Sequence, residues 1–444
     1  MAAAARRQEE GTFVNGIFLG IVLVAFGAAA FRQLGEAGAA GSSPMESMGK
    51  AMVEAAGGSV TLALGMVGVM ALFLGVMKVA EKGGLLLIIA RTVRPLMVRL
   101  FPGVPGDHPA MGAMILNISA NVLGLGNAAT PFGIRAMQEL DTLNPHKGVA
   151  SDPMAMFLAI NTASVTILPT GVIALRAAAG SQDPAGVVST TLFATIISTA
   201  VAIVAVLSLR RFFPLPAAVG NTGAVSAAAP PETPPGPPPE SIDGYPAWVG
   251  WFALGGVAAI VPLTIAYGPA IGPWIMPGIM VGMLLFGAVR GVPVYEAFVE
   301  GAREGFEIAV RIIPYLVAIL VAIAMLRDSG ALEAIIGPIG RLTAPFGVPG
   351  EALTMGLLRS LSGSGAFAYL ASALQDPAIG PDSYTGYLLS TIQGSTETTF
   401  YVLAVYFGAV QVRKFRHTLA AGLIADAAGV ASAVAICWFL YAGR

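Results

Sequence analysis

The sequence predicts an all-α, polytopic membrane protein, and three observations carry that reading. The chain is 56% hydrophobic and only 11% charged, with mean hydropathy +0.77, whereas soluble domains run near 25% charged. Apolar runs of about 20 residues, long enough to cross a bilayer, recur along its length. Several of them are interrupted by amides, hydroxyls, Gly and Pro, as at Asn117-Ile118-Ser119-Ala120-Asn121-Val122-Leu123-Gly124-Leu125-Gly126-Asn127-Ala128-Ala129-Thr130-Pro131. Hydrocarbon tolerates such a stretch only inside protein or beside a wet cavity.

Taken in order, the first run is 12–31. Arg6-Arg7 before it and Gly27-Ala28-Ala29-Ala30 at its end imitate a secretion signal. Its greater length, Asn15 and the membranous chain that follows favour a retained helix. An amphipathic stretch, 45–56, leads into the run 59–79, and a second short stretch ends Phe101-Pro102-Gly103-Val104-Pro105-Gly106. The broken segment 109–140, a polar-centred helix 153–176 and an apolar helix 186–208 follow. Residues 212–244, with Pro230-Pro231 and Pro237-Pro238-Pro239, form a solvated tether of polyproline character. Two further spans are predicted at 246–266 and 270–288, with a loop between them.

The pieces then recur. Residues 294–303 lead into 307–326, and a short stretch ends Phe346-Gly347-Val348-Pro349-Gly350. A broken segment 351–375, a polar-centred helix 384–411 and a last helix 417–441 complete the set. Ile160-Asn161-Thr162-Ala163-Ser164-Val165-Thr166 falls where Ile392-Gln393-Gly394-Ser395-Thr396-Glu397-Thr398 falls. This is a duplicated unit, dividing the chain into a repeat at 1–211, a linker at 212–244 and a repeat at 245–444.

Charge sets the expected orientation. Lys78, Lys82, Arg91, Arg94 and Arg99 follow 59–79 and mark a cytoplasmic end. After 307–326 only Arg327 and Arg341 appear, beside Asp328 and Glu333. The loop after 153–176 holds Arg176 alone, whereas the loop after 384–411 holds Arg413, Lys414 and Arg416. Corresponding loops therefore face opposite sides. The expectation is an inverted-topology repeat of nine spans, with each broken segment a re-entrant hairpin and both the N-terminus and the tether inside.

Inverted repeats with paired hairpins bind a small polar solute near the midplane. In the first half the candidates are Asn117 and Asn121, one helical turn apart, with Asn127 and Thr130 at the start of the returning half-helix. Pro131 suits the first turn there, and its free N–H groups favour an electronegative solute atom. The second hairpin offers Arg359, Ser360, Ser362 and Ser364. The polar-centred helices offer Asn161, Thr162 and Ser164 against Gln393, Ser395, Thr396 and Glu397. The amides alternatively glue helices together, and single hydroxyls often bond only to the preceding turn. Glu397, an acid deep in an apolar run, is expected to be buried and either suited to coupling or paired statically with a cation such as Arg359; Asp426 stands at a depth compatible with a partner role or else faces a neighbouring helix.

Other classes find little support. The net charge of −1, from 24 basic and 25 acidic residues, argues against a nucleic-acid partner. Cys437 is the single cysteine, and the three histidines lack ligand spacing, so no metal is expected. No Ser/His/Asp arrangement or phosphate loop occurs, hence no catalytic residue and no cofactor is expected. The expected partners are the lipid bilayer, one small polar solute and, as an option, further copies of the chain.

At these motifs the chain resembles known families. Residues 121–137, running Asn121-Val122-Leu123-Gly124-Leu125-Gly126-Asn127 through Arg135-Ala136-Met137, resemble the signature of spore maturation protein A. Residues 393–408, running Gln393-Gly394-Ser395-Thr396-Glu397-Thr398-Thr399-Phe400-Tyr401 through Gly408, resemble that of spore maturation protein B. The chain looks like the two fused in order, within the nucleoside-recognition or Gate group. That resemblance implies a transporter-like gate of the bacterial inner membrane but no particular solute. A non-transporting scaffold or regulator with the same architecture is the alternative.

Overall fold

Gly and Pro punctuate this apolar chain at short intervals, and the result is a stack of helices that break, turn back and resume. The computed structural model describes residues 2–35, 43–124, 126–214 and 244–442. The Pro-rich body of the tether and Leu125 at the first hairpin tip lie outside the described residues. Among the described residues no β-strand occurs, only an isolated bridge between Val149 and Lys414.

Helix α1 is Ala2–Gly35, α2 is Pro44–Lys82 and α3 is Leu85–Leu100. The first hairpin is α4 (Pro109–Val122) and α5 (Gly126–Thr142). A broken helix follows as α6 (Asp152–Thr162) and α7 (Thr170–Ala178), then α8 (Val187–Leu209). After α9 (Ala247–Val289) the series repeats as α10 (Val294–Asp328) and α11 (Ala331–Thr343). The second hairpin is α12 (Gly350–Leu361) and α13 (Gly363–Gln375). The second broken helix is α14 (Tyr384–Ser395) and α15 (Thr399–Ala409), and α16 (Thr418–Tyr441) ends the chain. Within α1, α2, around α8 and in α16 the helix is long and apolar enough to cross a membrane. The protein is a multi-pass membrane protein in contact with the bilayer.

The amphipathic stretches 45–56 and 294–303 lead directly into the runs that follow, as the first turns of α2 and α10, 39 and 35 residues long. Ser43 caps α2 by accepting from the Glu46 N–H at 3.3 Å, with Pro44 at the first helical position. The segments 153–176 and 384–411 are each cut in two, at 163–169 and 396–398. The spans 246–266 and 270–288 are joined in one helical segment, α9, without the expected loop.

Straight, that 43-residue segment would be about 65 Å long. Yet the Tyr245 N–H donates to the Arg91 carbonyl at 3.0 Å, while Arg290 Nε donates to the Gly83 carbonyl at 2.9 Å. Gly83 and Arg91 can lie no more than about 29 Å apart even on an extended chain. The segment therefore bends sharply on itself. Pro262 and Pro277 supply a cause, since each removes a donor and crowds the preceding turn.

Corresponding long helices of the two halves pack antiparallel. Ser47 Oγ donates to Asp328 Oδ1 at 2.8 Å at one end of the α2–α10 pair, and Lys78 meets Glu304 at 2.9 Å at the other. Gly301 and Gly305 let α10 lie directly on the α2 backbone at Leu74 and Ala71. In the α8–α16 pair, Tyr441 Oη donates to the Gly186 carbonyl at 3.2 Å and Ser198 Oγ to the Ala425 carbonyl at 2.9 Å. Arg416 binds the Phe213 carbonyl at the far end. The Arg413–Arg416 loop thus shares an end of the molecule with the start of the tether.

Candidate functional site

The first hairpin turns at Gly124, whose φ of +77° places it in the left-handed region. A Cβ there would collide with the Leu168 carbonyl, so glycine satisfies both the turn and the close approach. The tip is pinned to the break between α6 and α7, where the Ile167 N–H donates to the Val122 carbonyl at 3.0 Å. Asn117 and Asn121 share the buried face of α4. Asn117 Nδ2 donates to the Ala129 carbonyl at 2.8 Å and to Tyr406 Oη at 3.2 Å. Asn121 Nδ2 donates to Asn161 Oδ1 at 3.0 Å, and that same oxygen accepts from Tyr406 Oη at 3.4 Å.

Three amides and one phenol thus form a chain of polar contacts, Asn117–Tyr406–Asn161–Asn121, among α4, α6 and α15. Tyr406, from the second half, is the residue that sequence reasoning missed. A single tyrosine in an apolar run carries no spacing signal; only Gly133, opposite it, marks the place. A side chain at Gly133 would strike the Tyr406 hydroxyl. The side chain of Asn127 lies outside the described residues, and Thr130 is half-buried. Pro131 occupies the sixth position of α5, not its first turn.

The break of α6–α7 opens after Thr162. Thr162 Oγ1 bonds back to the Leu158 carbonyl at 3.2 Å, the ordinary helix contact. Ser164 is buried in the break, whose freed Ala163 carbonyl accepts from Thr199. The Thr162 carbonyl receives the backbone N–H of Glu397 at 2.7 Å. Glu397 lies in the break of α14–α15, so the two interrupted helices meet at their interruptions.

The second hairpin closes on that second break. Arg359, 8% exposed at its side chain, donates to the Thr396 carbonyl, to Thr398 Oγ1 at 3.2 Å and to Glu397 Oε2 at 3.4 Å. Ser362 caps α13 by accepting from the Gly365 N–H at 3.1 Å, and Ser364 stands exposed beside it. Ser395 is buried and bonds to the Ile392 carbonyl at 2.9 Å. Thr396 and Gln393 are buried as well.

Two expectations are corrected. The Glu397 side chain is 46% exposed, not buried, although its backbone N–H is held by the Thr162 carbonyl. Asp426 is not its hydrogen-bonded partner: Asp426 Oδ2 accepts from Ser360 Oγ at 2.6 Å and from Thr399 Oγ1 at 2.8 Å. The hydroxyl of Ser360 therefore serves a carboxylate on α16. Among the described residues, Asn117 Oδ1, Gln393 Oε1, Arg359 Nε and Asp426 Oδ1 are buried without a hydrogen-bond partner. Arg176 Nε, Ser189 Oγ, Thr191 Oγ1, Thr418 Oγ1 and both ring nitrogens of His417 share that state, and each such atom calls for its own explanation, among them strain, a water or an ion.

Paired hairpins, each closing on a broken helix, define a gate-type membrane protein. The family model for Gate, described as nucleoside recognition, matches residues 63–213 and 309–413. The chain belongs to this family and carries its domain twice. It is similar to Spore maturation protein A of Bacillus subtilis (strain 168), 43% identical over 169 residues, covering 38% of this chain and 84% of that protein. It is also similar to Spore maturation protein B of the same organism, 46% identical over 158 residues, covering 36% of this chain and 88% of that protein. No solved structure matches.

Proposed function

We propose that the chain is a non-enzymatic gate of the bacterial inner membrane. It binds or moves a small polar solute where the two breaks meet, with its halves inverted across the bilayer. The observation that carries this reading is the Glu397 carboxylate, 46% exposed in the break between α14 and α15 and paired with the buried Arg359. A charge facing lipid at that depth costs several kcal/mol, so the exposed side of the pair is read as facing a wet path. Amide, hydroxyl and guanidinium groups converge there, the chemistry that a nucleoside or a comparable hydrogen-bonding metabolite requires. The antiparallel α2–α10 and α8–α16 pairs support the inverted arrangement.

A second reading has its own observation. Asn117, Asn121, Asn161 and Tyr406 bond mainly to one another, as helix glue would. A non-transporting scaffold or regulator, with a role like the one named in its spore maturation relatives, fits that chain of contacts. The two readings separate in a thermal-shift screen of the purified protein in nanodiscs against nucleosides, nucleobases and other small polar metabolites. Saturable stabilisation by at least one compound is expected for the gate. A flat response across the panel selects the scaffold.

A further inference from the structure

We propose that Asp426, Ser360 and Thr399 form a binding site for a monovalent metal cation, with sodium as its occupant. The site joins three elements: α12 of the second hairpin through Ser360, the first residue of α15 through Thr399, and α16 through Asp426. The Asp426 residue is 5% exposed, and its Oδ1 is buried without a partner. Both hydroxyls donate to the other oxygen, Oδ2, at 2.6 and 2.8 Å. Each hydroxyl that donates in this way keeps lone pairs with which to accept a cation.

Charge leads to the same conclusion. The charged side chains on α14–α16, the intervening break and the C-terminal half of α12 are Arg359, Glu397 and Asp426, summing to −1. Arg359 is already engaged by the break, through Thr396, Thr398 and Glu397. A buried carboxylate without a paired cation is unfavourable, and one monovalent ion restores neutrality. The donors are all oxygen, which selects a hard cation. Among the described residues no three His, Cys, Asp or Glu side chains gather, so the site lacks the charge that a divalent ion calls for. Because Thr399 is two residues beyond Glu397, an ion here braces the second hairpin against the break.

This proposal does not depend on the solute, and its test uses none. Full-length protein in nanodiscs is unfolded thermally at fixed pH while NaCl replaces choline chloride at constant ionic strength. A saturable, Na⁺-specific rise of the melting temperature is expected. Thr399→Val should move the Na⁺ midpoint up by about tenfold or more, Ser360→Ala should act likewise, and Asp426→Asn should abolish the rise. Glu300→Gln, which removes an exposed acid elsewhere, should keep it. If Asp426→Asn does not fold, the two hydroxyl variants decide. Equal responses to sodium and choline, or a Na⁺ response unchanged in Thr399→Val and Ser360→Ala, would overturn the proposal. Stability that follows pH without any Na⁺ dependence would also overturn it, by assigning the carboxyl a proton.

Discussion

The Thr162 carbonyl accepts the backbone N–H of Glu397 at 2.7 Å. The bond ties the interruption in one half of the molecule to the interruption in the other. Neither group could make it inside an intact helix, where the Thr162 carbonyl would accept from four residues ahead and the Glu397 N–H would donate four behind.

Tyr406→Phe removes the hydroxyl shared by Asn117 and Asn161. The aromatic packing survives, so the expected loss is about 1–2 kcal/mol, the cost of leaving buried amides under-bonded. Gly133→Ala strikes the same hydroxyl from α5 and should cost about 1–3 kcal/mol by overpacking. Tyr406→Phe leaves the ring carbons that a Cβ at Gly133 would also strike, so the clash is relieved only when Gly133→Ala is combined with Tyr406→Ala, and in that combination the two losses should be less than additive in thermal unfolding. Additive losses would disconnect Gly133 from Tyr406.

Glu397→Gln and Arg359→Leu should behave differently although they break the same ion pair. Glu397 is close to half exposed, so screening limits its contribution to stability to at most about 1 kcal/mol. Arg359 holds the break through Thr396 and Thr398, and its loss leaves buried acceptors behind. Arg359→Leu should destabilise by about 2–4 kcal/mol. Melting temperatures of both variants check this, and equal losses would contradict the assigned exposure of Glu397.

Arg176 is fully buried between the halves. It donates to Asp382 Oδ1 at 3.0 Å and to the Asp183 carbonyl at 3.2 Å, and lies 4.1 Å from the Tyr387 ring centroid. Asp382→Asn keeps the shape but leaves the guanidinium short of its counter-charge. A loss of about 3 kcal/mol is expected. Arg176→Lys should not rescue packing, because an ammonium lacks the planar fork. A neutral Asp382→Asn would mean that the surrounding carbonyls alone hold the guanidinium.

Asp376, in the loop after α13, supplies a pH dependence. Burial alone would raise its carboxyl, but the Ala378 N–H and Arg327 outweigh burial and hold it below the usual carboxylate range. A depressed folded value contributes stability above the unfolded value of about 3.9. That stability is lost as pH falls through the lower folded value. Asp376→Asn should therefore flatten the acid limb of the melting temperature and leave the neutral region slightly less stable. An unchanged acid limb would contradict the pairing.

What the sequence revealed and what it hid follow from how each feature is encoded. Asn117, Asn121 and Asn161 were legible because amides in a membrane run are costly by themselves. The hairpins were legible because their tips carry residues that leave a helix readily, Gly124 in the left-handed region and Ser362 in the extended region just before α13. The breaks at 163–169 and 396–398 were not, since apart from Pro169 their residues are at worst mildly unfavourable in a helix and tertiary contacts open them. Tyr406 stayed hidden because its role depends on Gly133 in the other half. Exposure of Glu397 depends on its neighbours in space, which no local pattern specifies. The α9 segment was read as two spans from the lengths of its apolar runs, and it continues as one bent helical segment.

The account rests on the two halves lying upside down to one another in the membrane, and sidedness measures this directly. In a Cys437→Ala background, which removes the single native thiol, Thr222→Cys reports the tether. Lys414→Cys reports the loop before α16, and Arg341→Cys reports α11. In right-side-out vesicles an impermeant maleimide should label Arg341→Cys and spare Thr222→Cys and Lys414→Cys until the membrane is permeabilised. Labelling of Arg341→Cys and Lys414→Cys from the same side would contradict the inverted gate.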